Sequence, residues 1–100
     1  MANDIYKITR NFPEEERYGL TSQMRRCAVS IASNIAEGHM RNTDKDFKQF
    51  LAIARGSCAE LETQSLIAYN LQYMNEDYNR SVMLTIEEVA KMLSSLYSKL

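Results

Sequence analysis

Arg26, Ser30, Ser33, Asn34 and Glu37 recur at helical spacing within TSQMRRCAVSIASNIAEG, so they share one side of an otherwise apolar helix. A later run, ARGSCAELETQ, supplies Arg55, Glu60 and Glu62, with Ser57 and Gln64 nearby. Three chemistries suit such a set. If the two helices are neighbours, Arg26, Ser30, Asn34, Glu37, Arg55, Glu60 and Glu62 form a structural polar network that fixes helix register. Losing one member of a buried ion pair costs about 3–5 kcal/mol, so a buried carboxylate there needs its partner. Alternatively, Arg25, Arg26 and Arg55 present a surface to nucleic acid. Paired catalytic carboxylates are the third reading, and the residue types favour the first.

The remaining reactive side chains add little chemistry. His39 is the only histidine. It lacks the Glu-x-x-His spacing of di-iron bundles, and no cysteine or second histidine lies near enough to suggest a zinc set. It reads as an exposed residue after a helix end. Cys27 and Cys58 occupy positions that read as buried and pack as small apolar groups. There is no Gly-rich phosphate loop and no G-x-S-x-G turn. Neither catalysis, metal nor cofactor is expected; a ligand held among Glu37, Glu60 and His39 is what an enzyme would require. Arg41, Lys45 and Lys48 border a loop, with Asp44 and Asp46 interleaved. Alone they read as solvated surface. Repeated around a ring, they become a phosphate-binding surface, because each neutralised phosphate releases counterions.

The elements that must position these residues are all helical, spanning about 3–11, 20–38, 43–70 and 76–100. Phe12-Pro13 stops the first, since a residue before proline is pushed out of helical geometry, and Pro13 can open a turn of helix. Thr21 or Ser22 is positioned to cap the second. Its apolar face runs through Met24, Cys27, Ala28, Ile31 and Ile35 and extends around Val29, Ala32 and Ala36. That is roughly 200° of its girth at about 100° per residue, twice what a surface helix needs. Gly38 ends this helix or allows close approach there. Thr43 with Asp46 forms a capping-box-like start for the third helix. Phe47, Phe50, Leu51, Ala54, Cys58, Leu61, Ala68 and Tyr69 are its core stripe. Nearly opposite lie Ala52, Gly56, Ala59 and Thr63, small enough for another helix to pack closely. Asn75 caps the fourth helix, whose face is Tyr78, Val82, Ile86, Val89, Leu93, Leu96 and Leu100, with Met92 and Tyr97 beside it. Met24, Met40, Met74, Met83 and Met92 read as fillers of core gaps.

One hundred residues with three glycines and one proline suit a single domain, 1–100, of long helices. Short connections make it an all-α, antiparallel up-and-down four-helix bundle with a short first helix. The imbalance between the first and third helices implies either that residues preceding Met1 are missing or that another subunit covers the gap. The net charge is −1, so total charge marks neither a nucleic-acid nor a membrane binder. Residues 1–55 hold nine basic and seven acidic side chains, against three and six in 56–100. No apolar run approaches the ~20 residues of a membrane span. Two cysteines without a signal-peptide pattern point to reduced thiols and a cytoplasmic protein.

YGLTSQMRRCAVSIASNIAEG followed by FLAIARGSCAELETQ resembles the bacterial four-helix-bundle family that includes proteins encoded by intervening sequences of 23S rRNA genes. The similarity extends from IYKITRNFP to EEVAKML. The resemblance implies a four-helix subunit assembling as a cyclic homo-oligomer, typically a homopentamer, with no known catalysis. Relatives that serve as accessory proteins of diversity-generating retroelements are basic and associate with nucleic acid and a reverse transcriptase. Here Ala32 stands where many members carry proline, so the second helix should be straighter. The expected function is a non-enzymatic oligomeric scaffold binding structured RNA or DNA, or a nucleic-acid-processing protein, through Arg25, Arg26, Arg41, Lys45, Lys48 and Arg55. The alternative is an adaptor that binds only protein.

Overall fold

A computed structural model describes residues 1–100, with four α-helices, one 3₁₀ turn and no strand. Helix α1 covers Ala2–Thr9, the turn Glu14–Glu16, α2 Leu20–His39, α3 Asp44–Asn70 and α4 Glu76–Lys99. Helices consecutive in the chain pack on one another, and α1 also meets α4. The 43 Å long axis is close to the length that α3 alone demands, its 27 residues rising about 1.5 Å each.

Local chemistry sets the ends of these helices. Thr43 Oγ1 accepts from the Asp46 N–H at 3.2 Å, and Asn75 Oδ1 accepts from the Tyr78 N–H at 2.8 Å. Both caps lie where the sequence places them. The start of α2 agrees with the expected boundary at residue 20, but its cap does not follow expectation. The helix begins at Leu20, and Glu16 Oε1 accepts the Leu20 N–H at 3.1 Å. A carboxylate at a helix N-terminus adds a favourable dipole interaction to the hydrogen bond, so it displaces Thr21 and Ser22 from the capping role. The Thr21 hydroxyl is left buried without a partner. Helix α1 stops at Thr9, short of residue 11. The Thr9 hydroxyl donates to the Ile5 carbonyl at 2.7 Å, and the chain turns into Phe12-Pro13. At the far end of α3, the Tyr73 and Gln72 N–H groups reach the Ala68 and Tyr69 carbonyls. Gln72 takes the left-handed conformation, φ 65°, that this helix ending requires.

The core is one cluster of fifteen buried apolar residues. Leu51, Ala54, Cys58 and Leu61 of α3 share it with Met24, Ala28 and Ile31 of α2, Val82, Ile86 and Leu93 of α4, and Ile5 of α1. Each large side chain fully buried there contributes about 1.5–3 kcal/mol. Ser57 and Ser65 also lie inside, on the same face of α3. Several expected core residues do not. Val29, Ala32 and Ala36 are exposed, Met40 is 79% and Met92 58% exposed, and Tyr78 is nearly half open. Tyr78 borders α1 itself, lining a groove with Asp4, Ile5 and Ile8, whereas along α2 the reason is the length of α1. Its 8 residues reach about 12 Å and meet α2 near its start, where Arg25 bonds Thr9.

Gly38 lies inside α2, one residue before the helix ends at His39, and there is no room for a side chain there. A Cβ would stand 2.7 Å from Phe50 Cβ and 2.9 Å from Phe47 Cδ1. Gly38 is therefore a point of close approach between α2 and α3. Replacing it with alanine adds up to ~1 kcal/mol of helix propensity but forces an overpacked contact costing about 1–3 kcal/mol. Because one contact is to a Cβ close to backbone, the clash should win. Gly38→Ala should lower unfolding free energy by about 1–2 kcal/mol in urea titration.

Candidate nucleic-acid interface

Core packing fixes the rotation of α3. With Leu51, Ala54, Cys58 and Leu61 inward, Lys45, Lys48 and Arg55 fall on its α4 side and line a shallow surface groove between the two helices. Ala52 joins the two ends of this groove, Gly56 and Ala59 continue its floor, and Ala90, Ser94 and Tyr97 supply the α4 wall. Lys48 Nζ lies 4.7 Å and Arg55 Cζ 5.2 Å from the centroid of the half-buried Tyr97 ring. Each contact is a cation–π interaction, worth about 0.5–1 kcal/mol at an exposed site. None of the three cations has a carboxylate within ion-pair distance. Glu62 lies further along the same groove.

The other candidate cations are scattered. Arg41 is taken up by Glu37, Nη2 to Oε1 2.7 Å, and stacks on Phe50 at 4.9 Å. Arg25 Nε donates to Thr9 Oγ1 at 2.8 Å, and its guanidinium covers the Tyr6 ring at 4.6 Å, pinning α1 to α2. Arg26 is exposed and joins neither set. Tyr97 was legible only as a residue bordering the α4 core face. Its role as a shared platform depends on which way α4 meets α3, and no local pattern carries that.

The expected polar network is present in part and without ion pairs. Ser30 and Ser57 hydroxyls meet at 3.0 Å across the α2–α3 seam. Asn34 Nδ2 donates to the Ser30 carbonyl at 2.8 Å and to its hydroxyl at 3.0 Å. The Cys27 thiol donates to Glu60 Oε2 at 3.6 Å. Arg26, Glu37, Arg55, Glu60 and Glu62 are all exposed, and every ion pair lies between residues three or four apart in the chain. The register network is thus corrected to an Asn34–Ser30–Ser57 seam, because the charged side chains reach water at its edge. Ala52, Gly56 and Ala59 are exposed, and nothing approaches within 4 Å of a Cβ built on Gly56. No helix of the same subunit fills that stripe. Glu37, Glu60 and His39 have separate partners in Arg41, Cys27 and the edge-on Phe47 ring. No cluster of three or more His, Cys, Asp or Glu side chains could hold a metal.

By fold, the chain is an all-α protein of four helices, and none of them is long and apolar enough to cross a membrane. It belongs to the 23S rRNA-intervening sequence protein family, whose model matches residues 1–95. No curated protein matches it. Among solved structures, it is similar to a protein of unknown function from the S23 ribosomal protein family of Bacteroides thetaiotaomicron. The two are 25% identical with a TM-score of 0.84, over 96% of this chain and 87% of that one.

Both cysteines are free and buried. Burial pushes the Cys27 thiol above its ordinary 9.0, with the Glu60 carboxylate adding to the effect and a hydrogen bond from Gln64 opposing it. Burial, then Glu62, raises Cys58 as well. The Glu16 carboxylate, accepting from the Tyr73 hydroxyl at 3.0 Å, raises that phenol above 10.0. A raised folded pKa means the unfolded chain loses its proton first. The resulting stability is complete below the unfolded pKa and disappears as pH rises through the folded one. Unfolding free energy should therefore be level at neutral pH and fall once pH passes about 9. Cys27→Ala/Cys58→Ala should remove the thiol part of that fall and leave the later step from Tyr73, as read by urea titrations across alkaline pH.

Proposed function

We propose that the chain is a non-catalytic scaffold: an antiparallel up-and-down bundle that closes with copies of itself into a ring and holds structured RNA or DNA at the Lys45, Lys48 and Tyr97 end of the α3–α4 groove. The observation that carries the reading is the trio Lys45, Lys48 and Arg55, gathered on one groove without carboxylate partners. Like charges held together repel, and an anionic backbone relieves that repulsion. Membership of a family described by 23S rRNA intervening sequences supports an RNA-linked role.

Assembly rests on two uncovered surfaces. One is the α2 face bearing Val29, Ala32, Ala36 and Met40; the other is the α3 stripe of Ala52, Gly56, Ala59 and Thr63. They are different surfaces, so one copy offers its α2 face to the next copy's stripe, a head-to-tail contact that can close as a ring. The stripe floors the part of the α3–α4 groove beyond Ala52, so a copy seated there occupies that part and leaves Lys45, Lys48 and Tyr97 open at the other end, with Arg55 at the border between them. A patch of three cations is weak alone. A pentamer repeats it around the ring, where phosphates bound by several copies add to affinity.

Fluorescence anisotropy with structured RNA and duplex DNA at low salt should show binding that weakens steeply with added salt. Lys48→Gln/Arg55→Gln should reduce the slope of log K against log salt by about one per cation removed in each engaged copy. Absence of binding at low salt, with the assembly intact, would overturn the nucleic-acid reading. A protein partner recovered after nuclease treatment would then identify an adaptor.

Gly56 separates subunit stability from assembly. Gly56→Ala should raise helix stability by up to ~1 kcal/mol in a lone subunit, since nothing in the subunit opposes a methyl group. Gly56→Leu should break the assembly into smaller species by light scattering while leaving the subunit folded. An unchanged mass would remove the stripe from the interface.

A further inference from the structure

We infer that the corner where α1 turns into α2 is an anion pocket built for a phosphate monoester, free or at the end of a nucleic-acid chain. It lies apart from the α3–α4 groove and does not depend on that reading. Arg10 at the end of α1, Arg17 after the 3₁₀ turn and Arg25 on α2 line one small pocket together with Thr9, Thr21 and Glu14. Three guanidinium groups and one carboxylate give this lining a formal charge of +2. A phosphate monoester carries close to two negative charges at neutral pH, so it balances the lining where a single carboxylate does not.

The arrangement is partly preorganised. Arg25 is held by Thr9 Oγ1 at 2.8 Å, by the Tyr6 carbonyl at 3.4 Å and by the Tyr6 ring beneath it. Those bonds use Nε and Nη2 and leave Nη1 free of a protein acceptor. Arg17 pairs with Glu14, Nη1 to Oε1 3.3 Å, in a pair largely exposed on both sides, and its guanidinium lies 5.7 Å from the centroid of the exposed Tyr18 ring. Such pairs contribute little, so an incoming dianion can compete for that arginine. Arg10 has no carboxylate partner. Thr21 is 6% exposed, and its hydroxyl has no hydrogen-bond partner. Thr21 thus adds an unpartnered hydroxyl to the lining that three guanidiniums share, and guanidiniums fit phosphate oxygens in bidentate fashion.

Calorimetric titration of the full chain with inorganic phosphate should give saturable binding, one phosphate per chain. Arg10 and Arg17 are both exposed and bridge no helices, so Arg10→Gln/Arg17→Gln should fold normally by circular dichroism. It should bind phosphate about tenfold or more weakly, the equivalent of losing one charge-assisted hydrogen bond. A Lys48→Gln/Arg55→Gln background then allows 5′-phosphorylated and 5′-hydroxyl oligonucleotides to be compared with the groove disabled. Preference for the phosphorylated strand identifies a chain end as the ligand. Saturable phosphate binding without that preference identifies a small phosphate ester. Absence of saturable binding at millimolar phosphate, or equal binding by the folded Arg10→Gln/Arg17→Gln variant, overturns the inference.

Discussion

The close approach of α2 and α3 is the constraint on which the rest of the structure depends. At one end Gly38 lets Phe47 and Phe50 of α3 come against the α2 backbone. Further along, Ser30 meets Ser57, and Cys27 meets Glu60. A seam of glycine, hydroxyl and thiol admits little rotation, because turning α3 would drive Phe50 into Gly38 and part the serines. With α3 held in this rotation, Arg55 and Lys48 can only rise on the α4 side, and the small stripe of Ala52, Gly56 and Ala59 can only face outward. The candidate interface and the candidate assembly surface are both consequences of that one seam.

Charge follows the same logic. Arg17, Arg41, Arg80 and Lys91 have carboxylates three or four residues away. These pairs sit on single helices or turns, are exposed, and stabilise by tenths of a kcal/mol (about 0.2–0.5 each). They leave Lys45, Lys48 and Arg55 unpaired on one groove. A chain of net charge −1 thus carries a locally cationic surface. Overall charge averages over what helix rotation separates, which is why the total argued against nucleic acid while the groove argues for it.

The helices were legible because their apolar residues repeat at the right period, and caps such as Thr43 and Asn75 act through bonds local to the chain. Membership of the family was legible from two motifs lying in order. What could not be read was anything settled by long side chains choosing between partners. Glu16 takes the capping role from Thr21 by reaching back from a separate turn. Arg26, Glu60 and Glu62 have the spacing of an interhelical network, yet each finds water within reach and none is drawn into an ion pair. Tyr97 acquires two cations only because of how α4 lies on α3. Spacing along a helix fixes which face a residue takes, but not whether a neighbour's face or solvent lies opposite.

The short first helix links these points. Helix α1 is short and is bonded to α2 at Arg25, whereas Val29, Ala32 and Ala36 further along α2 are open and Met92 of α4 is also uncovered. Such residues gain nothing from facing water, where their burial would contribute roughly 25 cal/mol per Å² of apolar surface. Helix α2 is uncharged along Val29, Ala32, Ser33 and Ala36, and the α3 stripe is uncharged and narrow. A face without charge and a stripe without bulk are complementary in the way two packed helices are. The subunit is thus held together on its inner faces and leaves two outer ones open, one without charge on α2 and one without bulk on α3.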